Sequence, residues 1–217
     1  MAHQKLFVNN KDESPRIFKN NVLDFFSRVH FSVPLFVYVP IISFFFYRSI
    51  AVFEVNVLTV VGLGLAGIVA WTLFEYLMHR FVFHYHPKSE LGKRIHFLTH
   101  GVHHDYPNDS MRLVMPPGVS LPIAAVFYAL FYFTMGQAFG EAFFAGFVLG
   151  YLAYDMIHYA THHVKSAKGI FKRIQKSHMK HHYREPDAGY SVSVLFWDYV
   201  FGTTYKNAER KKRQQSN

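Results

Sequence analysis

The sequence predicts an all-α integral membrane protein. Four transmembrane helices form two hairpins, and a helical cap on the cytoplasmic side holds a histidine-rich dimetal site. Three observations carry this reading: four long apolar runs, basic residues gathered in the segments outside those runs, and an excess of histidine. Of 217 residues, 51% are hydrophobic, 18% are aromatic and 15 are histidine, while cysteine is absent. Thiolate ligands and disulfides are therefore excluded, and a bound metal must sit on His, Asp or Glu.

A helix needs about 20 mostly apolar residues to cross the hydrocarbon core. The first run, 31–53, contains Pro34, Pro40 and Arg48 around an aromatic centre, Phe36 to Tyr47. The second, 55–78, carries one acid, Glu75, near its end. The third covers 113–135. The fourth, 138–159, holds Gly146 and Gly150 at the small-xxx-small spacing that lets helices approach closely. Four buried helices of a soluble protein are the alternative, but too little amphipathic surface remains in the chain to cover them.

Charge sets the topology. The connections 54–56 and 136–137 carry no Lys or Arg, whereas 1–30, 79–112 and 164–217 carry 5, 5 and 12. These basic segments are expected inside. The net charge of +9 fits a face against anionic lipid rather than nucleic acid, given the apolar runs. The organisation expected is a cytoplasmic segment 1–30, a membrane domain 31–205 and a basic tail 206–217. The opening MAHQKLFVNNKDES lacks the basic and apolar regions of a cleaved signal peptide. The sequon at Asn108 falls on the cytoplasmic side in this topology.

Twelve histidines fall in four clusters on that side: His79 and His84; His96, His100, His103 and His104; His158, His162 and His163; and His178, His181 and His182. Positions i, i+3 and i+4 of a helix share a face. His100, His103 and His104 can therefore point one way, as can His178, His181 and His182, and likewise His158 with His162. His79 and His84 lie roughly 140° apart on an ideal helix and converge only if the helix ends or unwinds between them. His163, about 100° from His162, is set aside. His3, His30 and His86 read as structural residues. The ten imidazoles of these pairs and triplets exceed the needs of one metal and suit two, although imidazole alone does not choose among Zn, Cu, Fe and Ni.

Two carboxylates stand one turn before ligand candidates, Glu75 before His79 and Asp155 before His158. Each is placed to accept the outer N–H of an imidazole and fix its tautomer. Asp155 sits deeper, beside Tyr154, where an unpaired carboxylate is costly. Gly62, Gly64 and Gly67 match G-x-G-x-x-G but lie inside a membrane run, so they read as helix packing. No H-E-x-x-H, G-x-S-x-G or Walker motif occurs.

The ordered pattern HxxxxH, HxxHH, HxxxHH, HxxHH resembles the fatty acid hydroxylase superfamily (the sterol desaturase family). The stretches HFLTHGVHHDYPND (96–109), RLVMPP (112–117), the pair Tyr154-Asp155, and WDYVFGT (197–203) resemble its fatty acid 2-hydroxylase branch. The likeness covers roughly 70–205. It implies ten metal ligands: His79, His84, His100, His103, His104, His158, His162, His178, His181 and His182. It also implies Tyr154 and Asp155 as catalytic residues, and a di-iron oxygenase that converts an acyl chain to its 2-hydroxy form, on a fatty acid or ceramide. Molecular oxygen is the co-substrate. Zinc can occupy such sites in purified protein, but it undergoes no redox change, so iron is expected in function.

Many eukaryotic members carry a cytochrome b5 domain with an HPGG motif. None occurs in this sequence, so a separate electron donor is expected, such as cytochrome b5 or a ferredoxin with its reductase. The location implied is the endoplasmic reticulum in a eukaryote or the inner membrane in a bacterium. Two other readings keep the histidines. A sister hydroxylase would act on a sterol, carotenoid or sphingoid base. A metal transporter or store would place its ligands near the bilayer midplane, whereas these clusters lie at or beyond the span ends.

Overall fold

A computed structural model describes residues 6–165 and 168–215, so His3 and the last two residues of the tail lie outside it. Among the described residues the regular structure is helical: α1 (Asn21–Phe26), α2 (Val33–Tyr47), α3 (Val57–Met78), α4 (Glu90–His96), α5 (Val102–Asp105), α6 (Pro117–Met135), α7 (Gln137–His163), α8 (Gly169–Tyr183), α9 (Phe196–Val200) and α10 (Tyr205–Gln215). Wider π-helical turns extend α2, α3 and α4 at Arg48–Val52, His79–Phe83 and Phe97–Gly101.

Three helices are long and apolar enough to cross a membrane: Val33–Val52, Val57–Phe83 and Pro117–Met135. Their outer faces leave large apolar side chains uncovered, with Phe36 79%, Leu58 81% and Phe133 82% exposed, as lipid-facing positions would be. The third helix begins four residues later than the run expected at 113. Pro116 is extended (ψ 138), and Pro117 takes the first turn, where its missing N–H costs nothing. The fourth expected run, 138–159, lies inside the continuous helix α7, which does not reach the same apolar length. Its acids explain this: Glu141 and Asp155 are both buried, alongside Ala142, Ala145 and Val148. A helix packed inside protein does not need an apolar coat.

The chain forms two compact units. One comprises 16–73 and 111–156. In its core Tyr38 and Ile42 of α2 meet Phe144, Ala145, Val148, Tyr151 and Leu152 of α7. The glycines bring α3 against α7. A Cβ on Gly146 would lie 2.0 Å from the Gly64 carbonyl oxygen, and one on Gly67 2.3 Å from that of Phe143. Only glycine permits this backbone contact, so the G-x-G-x-x-G run is a packing surface. Two polar pairs lie within the unit. Arg48, the cation of the first run, lies 3.2 Å from the buried Glu141, and the Tyr38 hydroxyl donates to Ser120 at 2.6 Å.

The other unit comprises the described parts of 1–15, 74–110 and 157–217. Its N-terminal segment is a strap, a role not evident in the sequence. The Val8 and Asn9 N–H groups donate to the Asp105 carbonyl at the end of α5 (2.9 and 3.1 Å). Asn108 donates to the Asn10 carbonyl, and the Tyr183 hydroxyl, at the end of α8, donates to the Asn10 side chain at 2.7 Å. Gln175 of α8 donates to the carbonyls of Thr161 (3.0 Å) and Val164 (2.7 Å), which ties α8 to the C-terminal turn of α7.

Candidate metal centre

All ten proposed ligands lie in the second of these units and gather into two groups of five. His79, His84, His100, His104 and His181 form the first; His103, His158, His162, His178 and His182 form the second. Within each group one nitrogen per ring lies within 4.8 Å of the others. His86, His96 and His163 lie outside both groups: His86 stacks with His96 at 6.2 Å, and His163 stacks on Tyr159 at 4.5 Å.

The local backbone explains the partition. His84 donates its N–H to the His79 carbonyl, an i to i+5 bond that widens the turn. The π turn supplies the unwinding that the 140° separation demanded, and His79 and His84 meet at 3.2 Å between Nε2 atoms. The HxxHH motifs correct the same-face expectation. Relative to the first histidine, i+4 lies about 40° to one side and i+3 about 60° to the other. The i, i+4 pair stays together while the i+3 ring turns to the opposite group. So His100 and His104 serve the first group and His103 the second, whereas His178 and His182 serve the second and His181 the first. His104 and His182 stack between the groups at 4.2 Å.

The Nε2 atoms converge. Contacts of 3.2 Å (His79–His100), 2.9 Å (His104–His100) and 3.0 Å (His181–His84) run through the first group. The second has 2.9 Å (His158–His103), 2.9 Å (His162–His178) and 3.1 Å (His182–His178). Two nitrogens at right angles about a metal, with bonds of about 2.0–2.1 Å, stand roughly 3 Å apart. Facing lone pairs at that spacing fit metal binding.

Burial keeps these rings neutral, the form that binds a cation. Burial first, and neighbouring imidazoles second, hold His100, His103, His104, His178 and His182 well below the ordinary histidine range. His84 falls to about 3, by burial and then by His181. His181 falls to about 4 by burial, against the opposing pull of the Ala188 carbonyl.

The outer nitrogens differ between groups. His79 Nδ1 donates to the Tyr190 carbonyl, and His181 Nδ1 to the Ala188 carbonyl at 2.9 Å. Both carbonyls can only accept, so each fixes Nδ1–H and leaves Nε2 bare toward the centre. In the second group, Nδ1 of His103, His162, His178 and His182 is buried with no hydrogen-bond partner among the described residues.

One carboxylate departs from expectation. Glu75 does not reach His79; it accepts from the Val192 and Ser193 N–H groups (2.9 Å each) and from the Ser193 hydroxyl. A backbone loop has taken the place at His79 that spacing assigned to the acid. Asp155 is buried beside Tyr151 and the Met115 backbone, and its Oδ2 has no hydrogen-bond partner among the described residues. Tyr154 is half-buried, its ring 6.0 Å from Trp71.

A family model for fatty acid hydroxylases matches residues 64–203, a range that includes every one of the ten histidines. A dihydroceramide fatty acyl 2-hydroxylase of Arabidopsis thaliana is 34% identical over 203 residues, covering 93% of this chain and 85% of the plant protein. A ceramide very long chain fatty acid hydroxylase of Saccharomyces cerevisiae is 36% identical over 161 residues, covering 73% of this chain and 42% of the yeast protein. A solved structure of full-length scs7p, in which only the hydroxylase domain is visible, superimposes with a TM-score of 0.81 at 34% identity, covering 87% of this chain and 71% of that one.

Proposed function

The chain belongs to the fatty acid hydroxylase family, and from that premise we propose that it is a membrane-bound dimetal oxygenase that hydroxylates an acyl chain at C2. The product is a 2-hydroxy fatty acid or 2-hydroxyceramide. The observation that carries the proposal is the pair of five-imidazole groups with Nε2 spacings near 3 Å. The plant and yeast relatives, both named as acyl hydroxylases, supply the substrate class.

Such a reaction replaces one C–H by C–OH with one oxygen atom of O2. The other oxygen leaves as water, with two electrons and two protons from a donor. When bound, a redox-active metal pair supplies the oxygen activation; iron suits this and zinc does not. The chain's own groups hold ten neutral imidazoles with their nitrogens converged. The Ala188 and Tyr190 carbonyls orient two of them. Tyr154 and Asp155 are proposed as catalytic residues. Asp155 stands three positions before His158 on α7, with a carboxylate oxygen free of protein partners among the described residues.

The proposed topology has α7 as a fourth span, two helical hairpins, and the histidine-bearing unit on the cytoplasmic side, where the basic segments fall. A separate redox protein delivers the electrons.

The test is lipid mass spectrometry of cells with and without the chain. A rise in 2-hydroxyacyl lipids, lost in His104→Ala or His181→Ala variants, supports the assignment. No rise with the intact chain sinks it.

A further inference from the structure

The loop that orients His79 and His181 is itself held by two buried acids. The Tyr190 and Ser191 N–H groups donate to the two oxygens of Asp198, each at 3.0 Å. The next two N–H groups, Val192 and Ser193, donate to Glu75 at 2.9 Å. Four consecutive N–H groups thus end on carboxylates that are only 3% (Asp198) and 5% (Glu75) exposed. The Thr203 hydroxyl adds a 2.6 Å bond to Asp198.

One peptide plane links acid to ligand. The Ser191 N–H that donates to Asp198 and the Tyr190 carbonyl that accepts from His79 belong to the same peptide unit, which is rigid. An anionic acceptor on its N–H side polarises the unit and strengthens its carbonyl as an acceptor. The His181 branch is parallel. Ala188 accepts from His181, the Gly189 N–H of that same peptide donates to the Thr203 carbonyl at 2.9 Å, and Thr203 is held by Asp198. Gly189 has φ +70, and a Cβ there would lie 2.1 Å from the Tyr205 hydroxyl, so the loop admits no side chain at its hinge.

We infer that Asp198, assisted by Glu75, is a positioning residue for the first histidine group alone, acting through the peptides of 188–193. The inference rests on the dimetal reading above and adds a division of labour within it: one centre is set by a carboxylate-anchored loop, the other by helix geometry.

The experiment measures zinc affinity and stoichiometry on the detergent-solubilised full chain, independent of hydroxylation. His158→Ala with His162→Ala silences the second group; His79→Ala with His84→Ala silences the first. Asp198→Asn is placed in each background. With the second group silenced, the variant is expected to weaken the remaining zinc site by about 10–100-fold, the range for lost outer-sphere partners. With the first group silenced, zinc affinity stays within about twofold. Glu75→Gln acts in the same direction with a smaller effect. If Asp198→Asn does not yield folded protein, Thr203→Val carries the same comparison with a several-fold loss. Equal weakening in both backgrounds would mark a general structural role and overturn the inference, as would no change in either. A wild-type chain that took up no zinc or iron would bring down the dimetal reading and this inference together; two intact sites in the variants would overturn the inference alone.

Discussion

The first histidine group draws on two π turns, the four-residue α5 and one ring of α8, whereas four of the second group's five rings come from regular turns of α7 and α8. In the second group His158 with His162, and His178 with His182, are i, i+4 pairs, so helix formation alone aims them. In the first, His79 and His84 converge only because the backbone widens locally, and a separate loop supplies the outer acceptors. One centre is specified by secondary structure and the other by tertiary contacts. The second should respond to changes in how α7 and α8 are joined, and the first to changes in the loop that carries its outer acceptors.

Four substitutions test this contrast. The largest effect is expected from single ligands. His100→Ala in the first group and His178→Ala in the second should each cut 2-hydroxyacyl product by more than about 100-fold, beyond the range for lost outer partners. Product formation that survived only in the second-group variant would turn the comparison into one catalytic and one structural metal.

Gly146→Ala is the control. It forces a Cβ onto the Gly64 carbonyl and should destabilise by about 1–3 kcal/mol, as overpacking does. The detergent unfolding midpoint should fall, with both zinc affinities changed alike; a selective loss at one group would contradict the separation of packing from ligation.

The smallest effect is expected from Gln175→Ala, which removes two hydrogen bonds to the end of α7 at a cost of about 1 kcal/mol. A several-fold weaker second zinc site beside an unaltered first one is the expected titration result. The reverse order would invert the contrast.

The readable part of the molecule follows the same divide. Apolar length marked four runs, three of which are helices apolar enough to span a membrane, and the glycine spacings marked close helix packing without its partner, because both signals depend on residues close in sequence. The histidine clusters were visible for the same reason. The split of each HxxHH motif was not, since it requires knowing that partners lie on both flanks of the helix. The π turn at His79–Phe83 was indicated only by an awkward five-residue spacing. Helical proximity points Glu75 at His79, but its carboxylate takes two backbone N–H groups, of Val192 and Ser193, more than 110 positions away in the chain. Asp198 lies in the WDYVFGT stretch with no helical spacing to a histidine that would mark it. The strap at 7–14 has no periodic signal at all; its value is the set of hydrogen bonds it makes with Asp105, Asn108 and Tyr183.

Helix α8 gives His181 to one centre and His178 with His182 to the other. The two centres are therefore geared. A small roll of α8 about its own axis that draws His181 inward would swing the other two rings the opposite way, so a displacement in one histidine group would be transmitted to the other. A single residue inserted beside Met179 would turn everything beyond it by about 100° and misdirect ligands of both centres at once. The helix acts as a camshaft, and its register is a shared component that neither site can retune alone.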